Sequence, residues 1–225
     1  MTDETPAPSA RVDATDVPES WPVADRETVW ESGRVISIRS DTITSPSGES
    51  LRRDVVVHPG AVGVICLDED DRVLVVGQYR HPVAHRMIEP VAGLLDVEDE
   101  DYRDAAAREL FEEGAVRAAT WYVLVDATSS PGMTSEAIRI YLARGVTEVP
   151  ASDRYVGHGE EAHMHVSWEP IDDLVAGIMA GRLHNPVMIM GVLAAAASRR
   201  NGWVGLRPAD EPWTFRAELL AAQAT

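Results

Sequence analysis

A glycine-containing loop followed by a helix rich in glutamate is the feature that most constrains this chain. The stretch 101–115 carries Ala and Leu at helical spacing and is predicted to form a helix. Residues three and four apart share one face of a helix. Glu109, Glu112 and Glu113 are therefore predicted to form one carboxylate cluster, with Gly93 in the loop that precedes the helix.

Clustered like charges destabilise a helix by about 0.2–0.5 kcal/mol per pair, so a counterion would offset that cost. Divalent cations such as Mg²⁺ prefer carboxylate and carbonyl oxygens and retain water for substrate phosphates. The backbone carbonyl of Ala92, beside Gly93, could complete such a site with the three glutamates. The alternative is a solvated acidic face, in which Arg108 and Glu112 form an ordinary i,i+4 ion pair.

Charge and composition exclude several other classes. The chain has 20 Lys plus Arg against 37 Asp plus Glu, a net charge of −17, which argues against a nucleic-acid partner or an anionic membrane surface. The lone Cys66 excludes an intrachain disulfide framework. No apolar run approaches the ~18 residues of a membrane span, and no secretory signal is visible. We expect a cytoplasmic protein.

The order of predicted elements indicates an α+β fold. Residues 1–25 are acidic and proline-rich and are predicted to be a disordered tail. Residues 26–58 show strand-like alternation and are predicted to form a small antiparallel β unit. The main domain is predicted over 59–213, strand-rich at first and helical at its end, followed by a C-terminal tail over 214–225.

The acidic stretch resembles the Nudix box, the loop–helix–loop signature of hydrolases that act on nucleoside diphosphates linked to another moiety. Gly93, Glu100 and the run Arg108-Glu-Leu-Phe-Glu-Glu113 carry the resemblance. It implies an α/β/α sandwich with a mixed sheet. One departure lies after the helix, where Ala115 stands at the glycine position of the family. We interpret Gly114 as a left-handed cap that ends the helix one residue early.

The stretch 206–213 is similar to actinobacterial members of the ADP-ribose pyrophosphatase subgroup, and three further motifs resemble that subgroup. They are Gln78-Tyr-Arg-His-Pro82, Ala92-Gly-Leu-Leu-Asp96 and Ser130-Pro-Gly-Met133. The resemblance implies hydrolysis of ADP-ribose to AMP and ribose 5-phosphate with two or three Mg²⁺ or Mn²⁺ ions. The alternatives are hydrolysis of another nucleoside diphosphate sugar and a non-catalytic module that binds ADP-ribose.

The resemblance also assigns roles within the acidic region. Glu109, Glu112 and Glu113, with the Ala92 carbonyl, would hold the metal ions. Glu100 would pair with Arg108 and fix the helix against the loop of Gly93. The general base would come from the loop 157–162, where both Glu160 and Glu161 are candidates.

Two arginines near the box are candidate phosphate ligands. Arg80 and Arg86 flank the segment that leads to the box, and a guanidinium grips a phosphate with two parallel hydrogen bonds. The alternative for each arginine is an ion pair with Glu89 or Asp96.

Two further residues are candidates for the nucleoside and the sugar. Glu136 could accept a hydrogen bond from a ribose hydroxyl, or could lie at a strand end without a ligand. In the subgroup, aromatic residues of the N-terminal sheet hold the adenine, partly across a dimer, which makes Trp30 the candidate. The alternative is an indole buried in the core. A homodimer joined through residues 26–58 is expected, because this unit is too small to be stable alone.

Overall fold

The computed structural model describes residues 14–31, 33, 35–157 and 164–224. Within them the chain forms eleven strands and four α-helices. The strands are β1 Val23–Glu31, β2 Ser37–Thr44, β3 Ser50–Val57, β4 Ala61–Cys66, β5 Arg72–Arg80, β6 His85–Glu89, β7 Val91–Leu94, β8 Val116–Thr128, β9 Ala137–Glu148, β10 His165–Pro170 and β11 Arg207–Pro208. The helices are α1 Tyr102–Gly114, α2 Ile171–Met179, α3 Pro186–Arg200 and α4 Thr214–Ala224.

The strands form three sheets. The first contains β1, β2 and β3, all antiparallel, and confirms the predicted N-terminal β unit. The second has the order β11-β8-β9-β4-β7 and is mixed, because β4 runs parallel to β9 and antiparallel to β7. The third has the order β10-β5-β6.

Helices cover the central strands on both faces. Along β4 and β5, alternate side chains enter two separate core clusters, as the period of two in a strand requires. Val64 and Leu74 pack with Leu110 of α1, whereas Ile65 and Val75 pack with residues of α2 and α3. The arrangement confirms the predicted α/β/α sandwich.

The N-terminal sheet lies outside both clusters and is held by polar contacts. Its first strand begins at Val23, so the last three residues of the predicted tail are part of β1. Arg26 makes a two-pronged ion pair with the buried Asp41, at 2.9 and 3.2 Å. The backbone of Val56 exchanges hydrogen bonds with the carbonyl of Met133 and the N–H of Ser135, which joins β3 to the main domain.

The predicted C-terminal tail instead forms helix α4 over residues 214–224. The helix is anchored by Arg216, a buried side chain that lies 5.5 Å from the rings of both Tyr102 and Trp213 and donates to the carbonyl of Pro59. The backbone carbonyl of Gln223 accepts a hydrogen bond from Arg26 at 3.2 Å. These contacts are distant in sequence, so local composition did not reveal them. Across the described ranges, no helix combines the length and apolar character needed to cross a membrane.

Candidate active site

Helix α1 carries the candidate site on its last two turns. Asp101 begins the helix by accepting a hydrogen bond from the backbone N–H of Arg103 at 2.9 Å. The interpretation of Gly114 as the left-handed cap is wrong. Gly114 is inside the helix, where a Cβ would lie 2.6 Å from Leu74, and Ala115 carries the positive φ of 50°. Tertiary packing against Leu74 thus places the strained conformation on the alanine.

The three predicted glutamates border one cavity of about 170 Å³. Glu109 and Glu112 both accept from the Nη1 atom of Arg108, at 2.7 and 3.4 Å. Glu113 accepts from the backbone N–H of Ala92 at 3.3 Å. The helix and the preceding strand β7 therefore direct three carboxylates toward one space, with one guanidinium partly compensating their charge.

Gly93 was predicted in a loop but lies in strand β7, where the position of Glu109 requires a glycine. A Cβ added to Gly93 would overlap the Glu109 carboxyl group. The position of Gly93 is fixed by the sheet, because it pairs with Val62 of β4. A side chain at residue 93 would have to displace either the strand or the carboxylate.

Arg108 joins the loop to the helix. Its Nε and Nη2 atoms donate to the two carboxylate oxygens of Glu100, at 2.9 and 3.0 Å, so the predicted pair is present. The hydrogen bonds that Arg108 donates to Glu100, and then the negative charge of Glu109, raise the pKa of Arg108 against the opposing effect of burial. The guanidinium remains charged and links Glu100, which precedes the helix, to Glu109 on its later turns.

The carboxylates suit a hard divalent cation by their chemistry. Glu109, Glu112 and Glu113 offer oxygen ligands around one cavity, as Mg²⁺ and Mn²⁺ prefer. As the side chains stand in the described ranges, no three His, Cys, Asp or Glu side chains are grouped closely enough to hold a metal ion. Arg108 and the Ala92 N–H engage them instead, so metal binding would require these contacts to be exchanged.

The two candidate arginines have different surroundings. Arg80 makes a two-pronged ion pair with Glu89, whose side chain is almost fully buried. The alternative pairing of Arg80 with Glu89 is therefore present. Arg86 is exposed on β6 and donates to the carbonyl of Gly77 at 3.1 Å.

Glu136 and Trp30 also lie in different environments. Glu136 accepts a hydrogen bond from the Ser129 hydroxyl and lies 3.6 Å from His58. Trp30 is 46% exposed on β1, where it pairs with Ile38 of β2. This exposure contradicts the alternative of an indole buried in the core for Trp30.

Comparison with known proteins decides the family. The model of the NUDIX domain matches residues 57–188. An ADP-ribose pyrophosphatase of Mycobacterium tuberculosis (strain ATCC 25618 / H37Rv) is 40% identical over 85% of this chain and 91% of its own length. The chain belongs to the Nudix family. The predictions of a Nudix fold and of a hydrolase are confirmed.

Two other similar proteins extend the comparison. A methanol dehydrogenase activator of Bacillus methanolicus is 30% identical to this Nudix protein over 72% of the chain and 85% of its own length. The crystal structure of an ADP compounds hydrolase superposes with a TM-score of 0.66 at 18% identity, covering 84% of this chain and all of that one. At that identity the superposition supports the Nudix fold alone.

The candidate bases Glu160 and Glu161 lie outside the described residues. The cavity is bordered by Gly157, Met164 and Val166, together with Arg154 and Tyr155. Sequence reasoning missed Arg154 and Tyr155 as neighbours of the glutamates. The Arg154 Nε donates to the carbonyl of Val149 at 3.1 Å. In the sequence, the two residues appear only as a cation and an aromatic side chain just before the acidic loop. This loop has no fixed spacing to the Nudix box, so the pattern did not link them to the glutamates.

Proposed function

We propose that this Nudix hydrolase cleaves the diphosphate bond of ADP-ribose, releasing AMP and ribose 5-phosphate in a reaction that depends on Mg²⁺ or Mn²⁺. The observation that carries the proposal is the cavity bordered by Glu109, Glu112 and Glu113. The choice of ADP-ribose is supported by the relative of that activity, whose length the match covers almost completely.

The metal ligands in this proposal are Glu109, Glu112, Glu113 and the carbonyl of Ala92, which together would hold two or three ions. Bound there, divalent cations supply positive charge for the diphosphate and lower the pKa of a coordinated water. The protein itself would supply the positions of the ligands. Gly93 lets the Glu109 carboxyl group lie against the backbone of β7, and Arg108 ties Glu100, before the helix, to α1.

The phosphate contacts would come from Arg86 and Arg80. Arg86 is exposed on β6, the strand before β7, so its guanidinium would be accessible to a phosphate. Arg80 would contribute positive charge for the phosphate while Glu89 fixes its orientation. Their positive charge would also offset the acidic field of a chain with a net charge of −17.

The sugar and base contacts would come from Glu136 and Trp30. A carboxylate accepts hydrogen bonds from vicinal hydroxyls, which makes Glu136 suitable for the ribose. The indole of Trp30 is exposed and can stack on adenine.

We further propose that residues 26–58 form the interface of a homodimer. Light scattering at micromolar concentration should give the mass of two chains, and a monomer would contradict this part of the proposal.

The general base would be Glu160 or Glu161, because a carboxylate engaged by metal ions is a poor proton acceptor. Glu160→Gln and Glu161→Gln should separate the two. Substitution of the glutamate that acts as the base should remove most of the turnover and leave the metal affinity unchanged. Substitution of the other glutamate should give a variant that resembles the wild type. Equal and small effects of both substitutions would remove this loop from the proton transfer.

The activity is tested by profiling the purified protein with Mg²⁺ on ADP-ribose, ADP-glucose, GDP-mannose and NADH. We expect ADP-ribose to give the highest kcat/KM. Hydrolysis in ¹⁸O-labelled water identifies the phosphorus that is attacked. If another nucleotide sugar gave a higher kcat/KM, the proposed metal-dependent hydrolysis would stand, and that sugar would replace ADP-ribose as the proposed substrate.

A second candidate function is regulation of a partner enzyme, which the similarity to a methanol dehydrogenase activator favours. A non-catalytic module of this kind would bind ADP-ribose without turnover. All acidic positions of the box are filled, which favours catalysis. Isothermal titration with ADP-ribose in the presence of Mg²⁺ separates the two candidates, because an enzyme would release AMP during the titration.

A further inference from the structure

The carboxylate of Glu136 lies between two groups. On one side the Ser129 hydroxyl donates to Oε2. On the other side the Nε2 atom of His58 lies 3.6 Å from Oε1. Both side chains are largely buried, with exposed fractions of 14% for His58 and 24% for Glu136. Few positions are therefore open to this carboxylate.

The backbone sets which nitrogen of His58 faces Glu136. The N–H of Gly60 donates to Nδ1 at 3.0 Å, so Nδ1 must be the unprotonated nitrogen of the neutral ring. The proton of the neutral ring is then on Nε2, the atom directed at Oε1. The backbone N–H of His58 itself donates to the Ser135 hydroxyl at 3.0 Å, which ties this residue to the loop that carries Glu136.

The surroundings of the ring favour its neutral form. Burial lowers the pKa of His58, the Glu136 carboxylate raises it, and the nearby Arg216 guanidinium lowers it again, with the net direction downward. Glu31, at the end of β1, is the further acidic residue bordering the cavity of about 290 Å³ beside His58. The imidazole thus acts at neutral pH through its N–H dipole, with a full positive charge acquired only in acid.

The distance of 3.6 Å has a consequence for ligand binding. It is longer than a hydrogen bond, so the attraction of the Nε2–H group orients Oε1 without using its capacity as an acceptor. Oε2, in contrast, is already engaged by Ser129. The carboxylate therefore has one oxygen that is held in position and can still accept a hydrogen bond from a ligand hydroxyl.

We propose that His58 is a positioning residue for substrate binding, which holds the Glu136 carboxylate in place so that Oε1 meets a sugar hydroxyl. The inference rests on the proposed function, which gives Glu136 its contact with the ribose. His58 acts through Glu136 and touches no reacting atom, so it should affect KM and leave kcat nearly unchanged.

Two substitutions separate the nitrogens of the ring. In His58→Asn the amide oxygen replaces Nδ1 and can accept from Gly60, but the group facing Glu136 is lost. In His58→Gln the amide nitrogen replaces Nε2 and can face Glu136, but the acceptor for Gly60 is lost. His184→Asn, at an exposed histidine before α3, is the matched control.

The kinetic result expected is a crossed pattern. His58→Asn should raise the KM for ADP-ribose about fivefold, the equivalent of one hydrogen bond, with kcat within about twofold of the wild type. His58→Gln should retain a KM near that of the wild type while its melting temperature falls. A purely structural histidine would give KM changes that follow stability in both variants, and that result would overturn the proposal.

A double-mutant cycle tests whether His58 acts through Glu136. The KM of Glu136→Gln should be unchanged by the further substitution His58→Asn, because the carboxylate that His58 positions is already absent. Independent, multiplicative effects of the two substitutions on KM would overturn the proposal.

An arm without substrate distinguishes this inference from the proposed function. The imidazole ¹⁵N resonances of His58 should report the Nε2–H tautomer at pH 7.5, and Glu136→Gln should lower the pKa of His58 further, because the carboxylate that raises it is neutralised. A His58 that titrates identically in both proteins would overturn the proposal. Failure of the wild type to hydrolyse ADP-ribose, with the His58 titration changed as expected, would contradict the proposed function alone.

Discussion

Helix α1 and the N-terminal sheet are stabilised in opposite ways. The buried side of α1 consists of Ala105, Ala106, Leu110 and Gly114, which pack against the strands β4 and β5 with almost no exposed surface. The sheet of β1, β2 and β3 contributes no residue to either core cluster. Along β1 nearly every side chain is exposed.

The difference separates two tasks of a hydrolase. Carboxylates that must converge on one space need a frame that does not move, and close packing of apolar side chains provides it. Recognition and assembly can be placed on a sheet held by ion pairs and backbone hydrogen bonds, because such contacts tolerate rearrangement. The comparison predicts that substitutions in α1 change chemistry, whereas substitutions in the sheet change local stability.

The largest effect is expected at the rigid region. Glu113→Gln should lower kcat by ~10²-fold or more, through loss of one principal electrostatic contributor, with the far-UV spectrum and melting temperature retained. Glu69→Gln, in the exposed turn between β4 and β5, is the control. A rate near that of the wild type at saturating Mg²⁺ would exclude Glu113 from the site.

The close approach of Gly93 to the Glu109 carboxyl group gives the next test. Gly93→Ala should lower kcat/KM by about tenfold or more, because a displaced carboxylate loses the geometry that catalysis needs. It should also weaken Mn²⁺ binding measured by isothermal titration. Gly132→Ala is the matched control, since a Cβ there meets no atom within 4 Å. Equal behaviour of the two variants would mean that Glu109 has room to move.

The N-terminal sheet should respond by unfolding locally. Asp41→Asn removes the charge shared by Arg26 and Arg39, and should cost about 2 kcal/mol of local stability. Hydrogen exchange of β1 and β2 amides should accelerate, while the amides of β4 remain protected. Asp54→Asn, an exposed pair with Arg52 on β3, should have no measurable effect. Uniform loss of protection across both regions would contradict their independence.

The smallest effect is expected at the end of α1. Ala115→Gly should stabilise the protein by about 1 kcal/mol, because glycine adopts the positive φ without a Cβ clash. The melting temperature should then rise by about 2–4 °C for a chain of this size. Gly114→Ala should have the opposite sign, since its Cβ would approach Leu74. Destabilisation by Ala115→Gly would show that the alanine side chain makes contacts of greater value.

The sequence predicted the site better than its surroundings, for a physical reason. The cluster of Glu109, Glu112 and Glu113 depends on helical spacing, which is local, and the three side chains border one cavity. The exchange between Gly114 and Ala115 depends on Leu74, a residue 40 positions away in the core, and no local rule reveals it. The same holds for Arg154 beside the glutamates, which tertiary folding alone brings there.

Helix α4 was missed for a similar reason. Its sequence shows only weak amphipathic character, and its anchor is the contact of Arg216 with Trp213, Tyr102 and the Pro59 carbonyl. Of these partners, Tyr102 and Pro59 are far from Arg216 in the sequence, whereas Trp213 lies three residues before it. From its mixed composition alone, this C-terminal segment is therefore predicted to be a tail, and the surface against which it packs is needed to predict the helix.

The position of α4 indicates how much of the chain folds together with the Nudix domain. The family match ends at residue 188, yet Arg216 occupies the space beside Gly60, at the start of the first central strand. A polypeptide cut at the family boundary would expose the apolar rings of Tyr102 near the beginning of α1. Helix α1 is thus buttressed by α4, and minimal versions of the protein should retain the 11 residues of that helix.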